Sequence, residues 1–209
     1  ATVKKLVSFG TRHTLSDTKS STRGIGAAQR WVKSEFDNYA LASNGRLTSI
    51  IDYFTIKADG RRIKNDSQLG NVMATLKGTD ATDNRVLIIS GHLDSRATDV
   101  MDSSIDAPGA NDDGSGVAAM MELARIMSKR EFPFTIVFVA VLGEEQGLYG
   151  AKYLADKAKE QQWNVIAMIN NDMIGNIEGI DGIIDNYSFR IFSEPTPANE
   201  SENDRKKRR

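Results

Sequence analysis

The reading of the fold turns on Arg85-Val86-Leu87-Ile88-Ile89-Ser90-Gly91-His92-Leu93-Asp94. Val86 to Ile89 form an unbroken apolar run, which predicts a short strand over Arg85–Ser90 that is buried on both faces. Polar residues follow at once. Phe134–Leu142 and Val165–Ile169 repeat the pattern as two further strand-like apolar runs. Between the first two lies Gly116–Ser128, a helix apolar on most sides through Val117, Met120, Met121, Leu123, Ala124, Ile126 and Met127. Between the second and third lies Leu148–Lys159, a more amphipathic helix. Apolar strands alternating with helices predict an α/β fold, a mixed and largely parallel central sheet with helices on both faces.

Upstream, residues 46–78 read as strands and turns. Ile50, Ile51, Tyr53, Phe54 and Ile56 precede an Ala58-Asp59-Gly60 turn, and a further strand covers Asn71–Leu76. The first 40 residues read as helical, with Ala27, Trp31, Val32, Phe36 and Tyr39 on one apolar face of Gly26–Tyr39. The polar stretch 194–209 ends in Arg205-Lys206-Lys207-Arg208-Arg209 and reads as a flexible, solvated tail. Glu200, Glu202 and Asp204 beside it argue against a nucleic-acid patch.

The composition narrows the classes. The 209 residues suit one domain, incomplete on the reading below, and they carry 27 Lys+Arg against 28 Asp+Glu. This balance gives no global attraction to nucleic acid or an anionic membrane. With no cysteine, a disulfide scaffold, a thiolate zinc ribbon, an iron–sulfur cluster and a Cys nucleophile are all excluded. No apolar run approaches the ~20 residues of a membrane span. The chain starts at Ala1, which leaves room for a removed upstream segment. It has two histidines, His13 and His92.

In open α/β sheets the ligand crevice lies beyond the carboxyl ends of the strands. There the sequence places Gly91-His92-Leu93-Asp94 after the first apolar strand, Gly143-Glu144-Glu145 after the second and Asn170-Asn171-Asp172 after the third. Ala107–Gly116, with Asn111-Asp112-Asp113, precedes the apolar helix. Carboxylates gathered this closely repel unless a cation neutralises them, and oxygen ligands plus imidazole suit zinc, cobalt or manganese. An EF-hand is not matched in register, and no Lys follows Gly114 and Gly116 to make a phosphate loop.

Four ordered segments carry a family resemblance: Gly91–Ser95, Ala107–Gly116, Gly143–Gly150 and Asn171-Asp172-Met173. Together they resemble the M28 zinc aminopeptidases, over about residues 85–175. The resemblance implies a zinc-exopeptidase fold and two zinc ions bridged by Asp112. His92 and Asp172 would complete the ligands of one ion and Glu145 would bind the other. Asp94 would accept a hydrogen bond from the far nitrogen of His92 and so orient the ring. Glu144 would act as general base, taking a proton from the attacking water and passing it to the leaving amine. The peptide bond between Asp112 and Asp113 would be cis.

The family pattern also needs a histidine well downstream of Asp172, on the ion held by Asp112 and Glu145. No histidine follows His92. The expectation is therefore a domain lacking its C-terminal part, binding one zinc better than two. The leading activity is aminopeptidase action on peptides. The alternatives are a non-catalytic metal-binding fragment, or a carboxypeptidase or glutaminyl cyclase of the same fold. An exposed sheet edge favours homo-oligomers. By analogy with the family, a secreted or periplasmic location is expected.

Overall fold

The computed structural model describes residues 1–193 and Ser201. The chain divides into two units, Ala1–Asn176 and Ile177–Arg209. The polar tail expected at 194–209 lies outside the described residues, Ser201 apart.

In the first unit, α1 (Thr2–Val7) and α2 (Gly24–Ala40) precede two long strands, β1 (Leu47–Ile56) and β2 (Ser67–Leu76). Next come β3 (Arg85–His92), α3 (Gly114–Met127), β4 (Thr135–Val141), a one-turn α4 (Glu144–Gly147), α5 (Tyr149–Glu160) and β5 (Asn164–Asn170). The five strands form one open sheet in the order β1-β2-β4-β3-β5. The three apolar strands of the sequence pair in parallel, with Ile88 opposite Val137 on one side and Met168 on the other. β1 and β2 add antiparallel to β4. The sheet is thus mixed, with a parallel core.

Side chains alternate across a strand, and the alternation sorts the core into two layers. Ile136, Phe138, Ala140 and Leu142 join Val72, Ala74 and Leu76 of β2, Val32 and Phe36 of α2, and Val117, Met120 and Met121 of α3. Val137, Val139 and Val141 join Met73, Ile88 and Leu154 of α5 on the other face. Helices therefore cover both faces, which is why β4 can be apolar without a break from Ile136 to Val141. Each fully buried side chain of this kind contributes roughly 1.5–3 kcal/mol.

Parallel direction has a functional consequence. The carboxyl ends of β3, β4 and β5 lie at one end of the sheet, with His92 closing β3, Gly143-Glu144 following β4 and Asp172 following β5. Glycines let the neighbouring segments close in there. A Cβ on Gly116 would lie 2.2 Å from the Asn171 carbonyl, and one on Gly91 would lie 2.8 Å from the backbone of Val117.

Two features differ from the sequence reading. The first 40 residues are not helical throughout, because Ser8–Arg23 forms no helix. Ser and Asp side chains satisfy the backbone locally instead: Asp17 accepts from the amides of Lys19 and Ser20, and Ser16 Oγ from that of Ile25. β5 is exposed along its whole length. Its Ile166, Met168 and Ile169 stand about half exposed, at 47%, 48% and 50%. In the second unit, Glu178 and Ile184 form an isolated antiparallel bridge.

Candidate metal centre

His92 is the last residue of β3, and its side chain is almost fully buried. Its Nδ1 lies 3.0 Å from the Asp94 carbonyl oxygen. A carbonyl only accepts, so Nδ1 carries the hydrogen and Nε2 is the ring atom free to bind. Nε2 lies 2.9 Å from Asp112 Oδ1 and 3.8 Å from Asp172 Oδ1. One ligand atom from each of His92, Asp112 and Asp172 falls within 4.8 Å of the others. Among the described residues, this is the one group of three or more such side chains close enough to hold an ion. Both carboxylates remain nearly half exposed, at 45% and 43%, so the group opens to solvent.

Asp94 acts differently from expectation. The hydrogen bond to His92 Nδ1 comes from its backbone carbonyl, while its carboxylate stands 3.8 Å away. That carboxylate accepts instead from the amides of Gly143, Glu144 and Glu145 at 3.0–3.2 Å, and from Thr14 Oγ1 at 2.8 Å. The first amides of a helix have no partner within it, and Asp94 supplies one for α4. It thereby fixes the backbone of Glu144 and Glu145 beside the ring that its carbonyl orients.

Asp113 is fully buried and caps α3. Its Oδ1 accepts from the Gly116 amide and, at 3.3 Å, from that of Met173; its Oδ2 accepts from the His92 amide. One side chain thus ties β3, α3 and the segment after β5 together. The Asp112–Asp113 peptide bond is cis, as the resemblance implied.

The electrostatics of the site are those of crowded acids. Burial, aided by Asp172, pushes the Asp113 carboxyl up to about 7 against the pull of His92 and two backbone amides. Burial and the surrounding carboxylates likewise raise Glu144 above the usual range. Burial and Asp112 raise Glu145. At His92, burial disfavours the charged ring, but Asp94, Asp113, Glu144 and Asp172 outweigh it and hold the pKa above its ordinary value. Each of these groups is in an environment that a cation would relieve.

Glu145 does not belong to the three-residue group. Its Oε2 pairs with Arg96 Nε at 2.7 Å. His13 is also placed elsewhere. Its Nδ1 accepts from the Leu15 amide, and its Nε2 faces the Val100 carbonyl at 3.0 Å and Gln146 Nε2 at 2.9 Å. Sequence reasoning missed Arg12 and Arg96. In the sequence Arg12 lies far from the strand ends and Arg96 directly follows Gly91–Ser95, but nothing in either residue's type distinguishes a buried or paired guanidinium from a solvated one.

The donor set fits zinc: one imidazole nitrogen with its other nitrogen committed, and two carboxylate oxygens, with an open side. Comparisons with known proteins agree. A sequence model of peptidase family M28 matches residues 71–201. A protein of Leptosphaeria maculans, named a probable zinc metalloprotease, is 48% identical over 96% of this chain and 46% of its own length. The chain spans less than half the length of the curated relatives it matches. Among solved structures, the LapA aminopeptidase of Legionella pneumophila superposes with a TM-score of 0.61 at 26% identity, covering 82% of this chain and 40% of that one. A glutaminyl cyclase of Fimbriiglobus ruber shares the fold, with a TM-score of 0.61 at 22% identity, over 82% of this chain and 59% of its own.

Proposed function

Because the chain belongs to peptidase family M28, we propose that its cluster at the strand ends is the zinc site of an aminopeptidase, which removes N-terminal residues from peptides. The observation that carries this reading is the convergence of His92 Nε2, Asp112 and Asp172, with His92 Nδ1 already bonded to the Asp94 carbonyl. His92, Asp112 and Asp172 would hold a first zinc ion, and Asp112 and Glu145 would be the residues available to a second. Bound zinc supplies Lewis acidity, which polarises a peptide carbonyl and makes water more acidic.

The chain's own residues do the rest. Glu144, its carboxyl raised by burial and by its acidic neighbours, takes the proton of the attacking water and gives it to the leaving amine. Asp94 keeps Glu144 and Glu145 in place through their amides. Asp112 stands half exposed beside the buried His92, where a substrate can approach from solvent.

One zinc is bound more tightly than two. The second position has two protein ligands in this chain, and one of them, Glu145, is engaged by Arg96. The same observation favours a second reading, in which the chain by itself binds metal without turning over substrate.

Titrating the metal-stripped chain with zinc, beside Asp112→Ala, tests the site. About one zinc per chain, lost in Asp112→Ala, is the expected result, and absence of specific zinc binding sinks the site. Aminoacyl p-nitroanilides and N-terminal glutaminyl peptides, offered to the zinc-loaded chain, separate aminopeptidase from cyclase action. No turnover of either by a zinc-binding chain supports the second reading.

A further inference from the structure

Arg12 is among the largest fully buried side chains, with none of its surface exposed. Its guanidinium spends its hydrogen bonds on backbone carbonyls. Nε donates to Leu93 at 2.8 Å, Nη1 to Pro108 at 2.7 Å and Leu6 at 3.2 Å, and Nη2 to Gly109 at 2.9 Å. Leu93 lies between His92 and Asp94. Pro108 and Gly109 open the segment that leads to Asp112 and Asp113. The Gly109 carbonyl also accepts from the Gly114 amide at 3.0 Å, which links the same point to the first turn of α3.

The backbone around Arg12 is bound to the same two segments. Its amide donates to Ser95 Oγ at 3.1 Å, and Ser95 Oγ donates to the Ala107 carbonyl at 2.7 Å. The Ser95 amide donates back to the Arg12 carbonyl at 3.3 Å.

We propose that Arg12 is the positioning residue of the metal centre: its fork holds the segment bearing His92 in register with the segment bearing Asp112. This rests on the metal-site reading above. Asp94, Asp112 and Asp113 repel one another and would push these segments apart in the metal-free chain. The buried cation draws on all three electrostatically while its hydrogen bonds fix distances. Even with burial lowering its pKa to about 10, the guanidinium remains charged at neutral pH. A lysine keeps the charge, but its compact ammonium cannot span acceptors on three separate segments.

The test compares the full chain with Arg12→Lys and with Phe36→Leu, which loosens a core position on α2. Zinc affinity is measured by competition with a chromophoric chelator, ligand geometry by the visible spectrum of the cobalt-loaded chain, and segment order by amide exchange without metal. In Arg12→Lys, zinc is expected to bind about 10-fold or more weakly, the usual scale for losing a partner behind the ligands. Its cobalt spectrum changes, and exchange quickens at 93–95 and 107–114 but not in β4. Phe36→Leu binds zinc as the parent does. Unchanged affinity and spectrum in folded Arg12→Lys would overturn the proposal, as would an equal loss in Phe36→Leu. If the parent binds no zinc, the metal reading fails on its own, and exchange at 107–114 still decides the clamp: unchanged protection there overturns it. If Arg12→Lys does not fold, the decision passes to the parent's Arg12 Nε–H, followed by NMR. Slower hydrogen exchange on zinc addition supports the clamp, and no change overturns it.

Discussion

Asp113 contributes to the candidate site without facing its open side. Its carboxylate caps α3 and receives amides from β3 and from the segment after β5, so Asp113→Ala leaves two buried N–H groups and one partly buried one without this partner. A loss of about 1–3 kcal/mol is expected in denaturant unfolding of the metal-free chain. Arg96 has the opposite effect on function. By pairing with Glu145 it withholds a ligand from a second ion. Arg96→Ala is therefore expected to raise zinc stoichiometry above that of the parent, measured by titration of the stripped protein. Asp59 offers a pH prediction. The amides of Ile63, Arg61 and Arg62 and the Tyr149 hydroxyl hold its carboxyl well below the ordinary 3.8. A depressed folded pKa contributes stability above the unfolded value, and that contribution is lost as pH falls through the folded one. The melting difference between parent and Asp59→Asn should be full from pH 5 to 7 and shrink below about pH 3.8.

Among the elements, β4 carries the most weight, since it is the middle strand of the five and buried on both faces. Phe138 packs with α2 and α3 in the larger core layer. Phe138→Ala is expected to cost about 3–5 kcal/mol in equilibrium unfolding. The strands were legible in the sequence because a strand buried on both faces reads as a near-continuous apolar run, as Val86–Ile89 and Ile136–Leu142 do. The break between α4 and α5 was not. Leu148, read as the first residue of a helix, adopts instead a left-handed backbone, with φ 60°, between the two. That conformation is held by tertiary context, with the Tyr149 and Gly150 amides donating to Gly143 and Leu142.

Across the whole molecule, β5 is the feature that departs most from a closed core. It lies at the sheet edge with apolar residues exposed along it. Such an edge offers unpaired backbone groups and apolar surface to another chain. Concentration-dependent self-association is expected in analytical ultracentrifugation, and Ile166→Lys with Ile169→Lys should suppress it. A parent that stays monomeric at all concentrations would show that the edge is tolerated as it stands.

By itself the sequence determined the strands, the order of motifs and the gathering of His92 and several carboxylates beyond the strand ends; that His92, Asp112 and Asp172 form one set was implied by the family resemblance. The former follow from local rules: apolar periodicity, and the geometry that puts every parallel strand's carboxyl end at the same end of the sheet. Only the tertiary structure decided which atom of Asp94 meets His92, that Arg96 engages Glu145, and that Arg12 lies beneath the ligand segments. Each of these is a contact between residues distant in the chain or a choice between two acceptors on one residue. A side chain's type states what bonds it can make, whereas its partner depends on which segments the fold brings within about 3 Å.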